Sequence, residues 1–318
     1  MKVRAFLAAA LLAAAAAQAQ DAGTRATRFQ FATAAETRQL LAADDDWLPN
    51  VGPFHRAATA GRAVSRDEFR QVLQASAVDC APAAVETARA SLAGVAPRFE
   101  ELGLRLPPTV TIACTNGGDS AGAPYTRGAA VFLPRNVPPS PGLMAHELFH
   151  VWSRYNAPRA SRLYAVLGFS EAPPLAWPAE WLEPRILNPD APFDRHAMRV
   201  EAAGGAYSVM PVLVARRTTL QPGETFFHVL DVRLLAVEPS ADGKASVPVR
   251  RDGQPLWFDA NTNESYLKQL GGNTGYVIHP EETTADNIAL IVTGSAVRNP
   301  ALTQRFRDVL AQLKASTP

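Results

Sequence analysis

The sequence predicts an α+β fold, because helix-like and strand-like segments both occur along the chain and no internal repeat is visible. Apolar residues at helical spacing, with few breakers, predict helices over residues 66–76, 83–103 and 301–315. Segments rich in β-branched and apolar residues predict strands over residues 109–115, 128–134, 226–238 and 246–260. We expect a small twisted sheet with one buried helix beneath it and a second helix packed across that helix.

The elements follow in a clear order. Residues 20–60 are weakly patterned, and a glycine-containing loop separates the strands predicted at 109–115 and 128–134. Pro141 stands where a helix can begin, and it predicts a helix over 141–156. Residues 157–204 are proline-rich and predicted to be irregular, whereas residues from about 205 to 260 form a β-rich insertion, with a hairpin at 252–253. Pro280 and early acidic residues predict a helix over 279–295.

The N-terminus resembles a secretion signal. Lys2 and Arg4 precede an apolar run, and small residues at 17 and 19 predict cleavage after Ala19, although an uncleaved anchor is the alternative. We expect a mature chain 20–318, folded as one domain and exported to the periplasm or medium. No later run reaches the roughly 18 apolar residues of a spanning helix.

Charge excludes one class of partner. Loss of the two basic residues of the signal leaves 29 basic against 30 acidic residues, a net charge near −1. A nearly neutral chain argues against nucleic acid or a basic contact with a membrane. The two cysteines, Cys80 and Cys114, suggest a disulfide in an exported protein, with two buried free thiols as the alternative.

The segment LMAHELFHVW carries the chemistry. His146 and His150 are four residues apart, so on a helix they share one face and can bind one metal ion together. Glu147 lies about 100° round the helix from His146, near enough to act on a water molecule at that metal. The surrounding residues are apolar, and burying two imidazoles and a carboxylate without a partner is costly. The segment therefore favours a zinc site over a chance match.

A catalytic zinc site needs a third protein ligand. The segment ETTAD places Glu282 and Asp286 four apart at the start of a predicted helix, so that Glu282 can bind the metal and Asp286 can orient a histidine. The similar segment EPSAD, from Glu238, contains a proline and is predicted to be a turn. Nearer glutamates are the fallback ligands: Glu171, Glu180 and Glu183. Glu281 is interpreted as a first-turn acid.

HELFH together with ETTAD resembles the gluzincin class of zinc metallopeptidases. The resemblance covers about a fifth of the chain and implies one zinc ion on His146, His150 and Glu282, with Glu147 as general base. It also implies that Asp286 orients a histidine, most simply His146. In the same class a strand before the active helix binds extended peptides, a role that residues 128–134 are expected to fill, with Tyr125 and Arg127 beside the cleft.

The expected function is an exported zinc metallopeptidase acting on peptides or proteins. Tyr276 and His279 are candidate oxyanion donors, with a core residue and a helix cap as the respective alternatives. The remaining histidines are interpreted as structural: His55, His196 and His228. Three other functions stay open: a zinc hydrolase of a non-peptide amide or ester bond such as one in the cell wall, a non-catalytic binding protein that keeps the fold, and a structural protein with a chance motif.

Overall fold

The fold is mixed α+β, as predicted, in a computed structural model that describes residues 26–316. The expected signal peptide, residues 1–19, lies outside the described residues. The first sheet runs in the order β1-β3-β5-β4, with β1, β3 and β5 parallel and β4 antiparallel to β5. The short strand β2 pairs with the end of β3. The five strands are Arg28–Phe31, Ala77–Val78, Thr109–Thr115, Tyr125–Arg127 and Ala130–Pro134.

Four helices accompany this sheet: α1 (Ala34–Ala42), α2 (Pro53–Ala60), α3 (Arg66–Ala75) and α4 (Pro82–Glu101). Helices α1 and α3 each begin with a capping box, in which a Thr or Ser side chain and a Glu three residues later satisfy each other's backbone amides. Residues 26–60, which are weakly patterned in sequence, contain β1, α1 and α2, and these two short helices gain stability mainly by packing against their neighbours.

The second sheet is antiparallel, in the order β10-β9-β8-β7-β6, with β13 also paired to β9. Its strands are β6 (Phe169–Glu171), β7 (His196–Ala202), β8 (Gly205–Ala215), β9 (Leu230–Pro239), β10 (Ser246–Pro248) and β13 (Trp257–Asp259). Strands β11 (Arg250–Arg251) and β12 (Gln254–Pro255) form the predicted hairpin, and Asp252 and Gly253 at its turn both have positive φ.

The prediction of an irregular segment from 157 to 204 was partly wrong. It contains α6 (Ala157–Tyr164) and the strands β6 and β7, between which the prolines concentrate. Strand β7 pairs with β6 through residues 196–198 and with β8 through residues 198–202, and this pairing, which local composition does not reveal, stabilises the strand. Residues 226–228, predicted to begin a strand, form a 3-10 helix instead.

The predicted motif helix lies at the centre of the molecule. Helix α5 (Pro141–Tyr155) packs along α8 (Pro280–Thr293) and also contacts strands β4 and β5. Helices α7 (Glu264–Leu270) and α9 (Pro300–Ala315) complete the fold. The largest apolar cluster draws buried side chains from both sheets and from α5 and α8, so the central helix pair is held on several sides.

Two further features bear on the sequence predictions. Cys80 and Cys114 form a disulfide, as expected, which joins the segment before α4 to β3. Within residues 26–316, no helix combines the length and apolar character that crossing a bilayer requires.

Candidate metal centre

Local sequence accounts for the start of the central helix and for its buried face. The Ser140 hydroxyl accepts a hydrogen bond from the Leu143 amide (3.2 Å), and Pro141 occupies the first turn. His146 and His150 lie one turn apart on the side that faces α8, with ring centroids 4.6 Å apart. This face brings two imidazoles against the first turn of a second buried helix.

His146, His150 and Glu282 form a group that could hold a metal ion. The Nε2 atom of His146 lies 3.1 Å from Oε2 of Glu282, and Nε2 of His150 lies 3.5 Å from the same oxygen. The buried Nε2 of His150 makes no hydrogen bond with any described residue, despite this short approach. A buried nitrogen that is left unpaired beside a carboxylate oxygen indicates that another partner belongs between them.

The separations suit a tetrahedral ion. Ligand atoms 2.0–2.1 Å from such an ion are about 3.3 Å apart, and the two observed nitrogen–oxygen distances bracket that value. His150 and Glu282 are buried, whereas the His146 side chain keeps 14% of its surface exposed. The residues therefore fit a metal with one side left open for water or substrate.

Each histidine is oriented by a carboxylate through its other nitrogen. Nδ1 of His146 lies 2.8 Å from Asp286, and Nδ1 of His150 lies 2.8 Å from Glu281. When Nδ1–H donates to a carboxylate, Nε2 carries the lone pair that a metal requires. The structure thus brings Asp286 to the histidine for which it was predicted, and it adds Glu281 in the same role for the other one.

Glu281 is the residue that sequence reasoning interpreted differently. Beyond His150, its carboxylate accepts hydrogen bonds from the hydroxyls of Ser153 (2.5 Å) and Tyr164. It is buried, whereas a glutamate that serves only the helix dipole has no reason to leave solvent. Two adjacent glutamates in the first turn of a helix suggest that one of them does more than interact with the helix dipole. The position of Tyr164 in the fold decides that Glu281 makes these hydrogen bonds.

Glu147 lies on the other side of the two histidines, close to a second acid. Its Oε2 accepts a hydrogen bond from the Thr126 hydroxyl (2.8 Å), and one oxygen each of Glu147 and Asp190 lies within 4.8 Å of a His150 nitrogen. Burial raises the pKa of Glu147, opposed by the charges of His150 and His146. Burial also raises the pKa of Asp190 well above its usual range. A carboxylate with a raised pKa is better matched to proton transfer near neutral pH.

The metal-binding group itself is electrostatically coupled. Burial opposes the charge on His146, but hydrogen bonds to Asp286 and Glu282 raise its pKa to about 10. For His150, burial is likewise outweighed by nearby carboxylates, chiefly Glu282, and its pKa is raised well above the usual value. The same two histidines hold the pKa of Glu282 well below its usual range, against the effect of burial. These shifts favour positive charge on the two histidines and negative charge on Glu282.

A loop over residues 186–190, within the proline-rich segment 157–204, completes the centre, and the sequence did not predict this role. Asn188 donates a hydrogen bond to Oε1 of Glu282 (2.5 Å), which leaves Oε2 directed at the histidines. The loop is anchored at Leu187, whose carbonyl accepts from the Trp47 indole (2.8 Å) and whose amide donates to Nδ1 of His55 (3.2 Å). Because its anchors lie about 140 residues away in sequence, no local pattern could reveal this loop as part of the site.

The two candidate oxyanion donors differ in position. Tyr276 is 41% exposed, and its ring centroid lies 6.1 Å from that of His146, so it stands at the open side of the centre. His279 caps α8, where its Nδ1 accepts a hydrogen bond from the Glu281 amide (3.1 Å). Burial lowers the pKa of His279 to about 4, so it is neutral and serves as the cap that was the alternative reading.

The loop before Tyr276 is tethered to α8. The Thr274 hydroxyl donates a hydrogen bond to Asp286, and Asn273 donates one to Asn287 (3.0 Å). These contacts hold the segment that carries Tyr276 close to the carboxylate that orients His146.

The remaining histidines make structural contacts, as interpreted from the sequence. His55 accepts a hydrogen bond from the Leu187 amide. His196 contacts the Ser161 hydroxyl (2.9 Å), and His228 accepts a hydrogen bond from the Thr225 amide (3.0 Å).

The fallback ligands are also clear. Four glutamates are exposed and do not belong to the metal-binding groups found among the described residues: Glu171, Glu180, Glu183 and Glu238. Glu180 instead pairs with Arg250 (2.8 Å).

The predicted peptide-binding strand was assigned to the wrong position. Residues 130–132 pair with β3 on one side and with β4 on the other, so β4 is the edge strand. The Thr126 amide on β4 donates to Asp190 (2.5 Å), and its carbonyl accepts from Arg154 (3.1 Å). The edge nearest the centre is therefore already hydrogen-bonded. Tyr125 lines a neighbouring pocket, whereas Arg127 points away and pairs with Asp45 (2.5 Å).

Comparison with known proteins adds no further assignment, since no family model, curated protein or solved structure shows significant similarity to this chain. The interpretation of the centre therefore depends on its own geometry.

Proposed function

We propose that the protein is an exported zinc-dependent metallopeptidase. The observation that carries the proposal is the direction of the two imidazoles: both Nδ1 atoms face carboxylates, and both Nε2 atoms converge on one oxygen of Glu282. Two imidazole nitrogens and one carboxylate oxygen at near-tetrahedral separation form a ligand set preferred by catalytic zinc. A zinc ion held there would polarise a carbonyl oxygen and acidify a water molecule.

The chain's own residues supply the proton transfers. Glu147 lies beside the histidines, and the Thr126 hydroxyl holds one of its oxygens in place. In this proposal Glu147 accepts the proton of the attacking water and then passes it to the nitrogen of the leaving amine. Tyr276, at the open side of the centre, is the candidate donor to the developing oxyanion.

Export is part of the same proposal. The chain contains a disulfide between Cys80 and Cys114, and disulfides persist mainly in oxidising compartments. The apolar N-terminal run behind two basic residues supports passage to such a compartment.

The experiment compares Glu147→Gln, Glu282→Gln and wild type for metal content and for cleavage of a fluorogenic peptide library. We expect about one zinc per chain in the wild type and in Glu147→Gln, and a loss of zinc in Glu282→Gln. Hydrolysis should fall by about 10²- to 10⁴-fold in Glu147→Gln, because general-base catalysis contributes that much. Glu264→Gln, which changes an exposed first-turn acid of α7, should leave both measurements unchanged.

Different outcomes separate the alternatives. A zinc-loaded protein that cleaves no peptide but hydrolyses amide or ester model compounds in a Glu147-dependent manner would refute the peptidase and support another hydrolase. Zinc binding without any hydrolysis would support a binding protein. A wild-type chain that takes up no zinc after reconstitution would refute the metal centre as a whole.

A further inference from the structure

A pocket of about 170 Å³ adjoins the metal centre. Its walls come from widely separated parts of the chain and are mostly apolar, with the main contributions from Trp47, Ile186, Leu213, Phe226, Leu230 and Ile278. Several of these side chains also belong to the apolar clusters, so the walls are supported from behind. The pocket is therefore a preformed apolar recess rather than a fold of the surface.

The pocket opens where a reacting bond would lie. Three residues of the centre also line it: Asn188, Asp190 and Tyr276. Asn188 donates a hydrogen bond to Glu282, Asp190 lies beside Glu147, and the Tyr276 ring lies near that of His146. A chain whose scissile bond lies at the metal therefore places a neighbouring side chain at the mouth of this pocket.

The volume of the pocket matches that of one aromatic ring. An apolar protein cavity of about 150 Å³ is sufficient to bind benzene. A space of about 170 Å³ accordingly accommodates the side chain of Phe or a large branched aliphatic residue. Smaller side chains would leave part of the apolar wall without contacts, and this loss weakens binding.

The polar groups on the wall are hydrogen-bonded or buried, and one buried oxygen of Asp119, Oδ1, has no hydrogen-bond partner among the described residues. Nδ1 of His55 accepts the Leu187 amide, and Asp119, only 2% exposed, accepts a hydrogen bond from the Tyr125 hydroxyl (2.7 Å). No lysine or arginine among residues 26–316 lines the pocket, so an acidic side chain would meet only carboxylates there. Two carboxylates line the pocket, but Asp119 has only 2% of its surface exposed and Asp190 already accepts a hydrogen bond from the Thr126 amide (2.5 Å), so both offer little to a basic side chain. An uncharged apolar group is the remaining match.

The edge strand adds to the importance of the pocket. Because the outward main-chain groups of Thr126 are bonded to Asp190 and Arg154, this strand has fewer free groups with which to bind an extended peptide. Side-chain contacts must then provide more of the binding affinity.

We propose that this pocket selects an aromatic or large aliphatic side chain at the residue next to the scissile bond. The proposal rests on the peptidase function for the position of the bond, whereas the affinity of the pocket for an apolar side chain can be measured without catalysis. Peptides with Phe or Leu at that residue should be cleaved with kcat/KM about 100-fold higher than peptides with Ala, Asp or Lys.

The first test measures the binding of small amides to the metal-free protein by ligand-observed NMR. N-acetyl-L-phenylalaninamide should bind at least about 10-fold more tightly than N-acetyl-L-alaninamide. Leu230→Trp, which fills the pocket, should abolish this preference. Leu267→Trp, at a partly buried leucine on α7 outside the pocket, is the matched control and should keep it. Phe227→Ala, at an exposed wall residue, weakens the preference with little risk to folding.

The second test is the cleavage profile of the zinc-loaded protein on the peptide library. Cleavage with no preference for large apolar residues, or with a preference for Asp or Lys, would overturn the pocket assignment and leave the peptidase standing. Selective binding that Leu230→Trp removes, with no peptide cleaved, would instead retain the pocket and refute the peptidase. Equal binding of the two amides in wild type would also overturn the pocket.

Discussion

Replacing Glu281 by glutamine tests the centre most directly, because the change keeps the shape of the side chain and removes its charge. Glu281 accepts hydrogen bonds from His150, Ser153 and Tyr164. In Glu281→Gln only one oxygen still accepts, and the new amide N–H groups require a hydroxyl to turn and accept from them. His150 therefore keeps a partner, but it loses the charge-assisted hydrogen bond that directs its Nε2 at the metal position.

The expected magnitude follows from the loss of that partner. Removing an outer partner of a ligating histidine typically weakens metal affinity by about 10- to 100-fold, or about 1.4–2.7 kcal/mol. Because Glu281 is buried, water cannot replace it, and we expect the upper part of this range. The Asp286 side chain is 30% exposed, so Asp286→Asn should weaken binding less, since water can approach the Nδ1 of His146.

The assay is competitive zinc titration against a chromophoric chelator at fixed pH, with thermal unfolding of the metal-free proteins measured in parallel. Glu264→Gln, which removes an exposed first-turn acid from α7, is the matched control for the helix dipole and should leave zinc affinity unchanged.

One result would refute this reasoning. If Glu281→Gln binds zinc as tightly as wild type while losing only the stability that Glu264→Gln loses, Glu281 serves the helix dipole alone. The assignment of His150 as a ligand oriented through Nδ1 would then be wrong.

Three other predictions concern pH and covalent structure. His146, whose pKa is raised to about 10, and His150 should both be protonated near pH 7 without metal, so zinc binding should release about two protons and weaken about 100-fold for each unit of falling pH. Calorimetry in buffers of different ionisation enthalpy measures the release, and no release would contradict it. Burial lowers the pKa of His55 to about 4, so its contribution to folding stability is present above pH 6.5 and lost as pH falls toward 4, by about 3 kcal/mol. Urea unfolding at several pH values should therefore show a shallower acid decline for His55→Gln than for wild type, and equal declines would refute it. Replacing Cys80 and Cys114 by alanine should lower the free energy of unfolding by about 4 kcal/mol, because the disulfide closes a loop across 34 positions. A loss below about 1 kcal/mol would show that the loop is ordered in the unfolded chain.

The site was predictable where its residues follow helical spacing. Four-residue intervals placed His146 with His150 and Glu282 with Asp286, and the structure brings these two pairs face to face. The role of Glu281 was not predictable, because adjacent first-turn glutamates look alike until a partner such as Tyr164 reaches one of them.

Sequence alone therefore determined the α+β class, most helix bounds and the candidate ligands, because capping residues, prolines and apolar periodicity act within a few neighbouring residues. Only the tertiary structure decided which strand is the sheet edge, that Asn188 and Asp190 stand beside the centre, and that Trp47 helps to wall a pocket next to it. Those outcomes depend on contacts between segments that are not neighbours in the sequence, up to 140 residues apart for Trp47 and Leu187, and their packing free energy is not expressed in any local pattern.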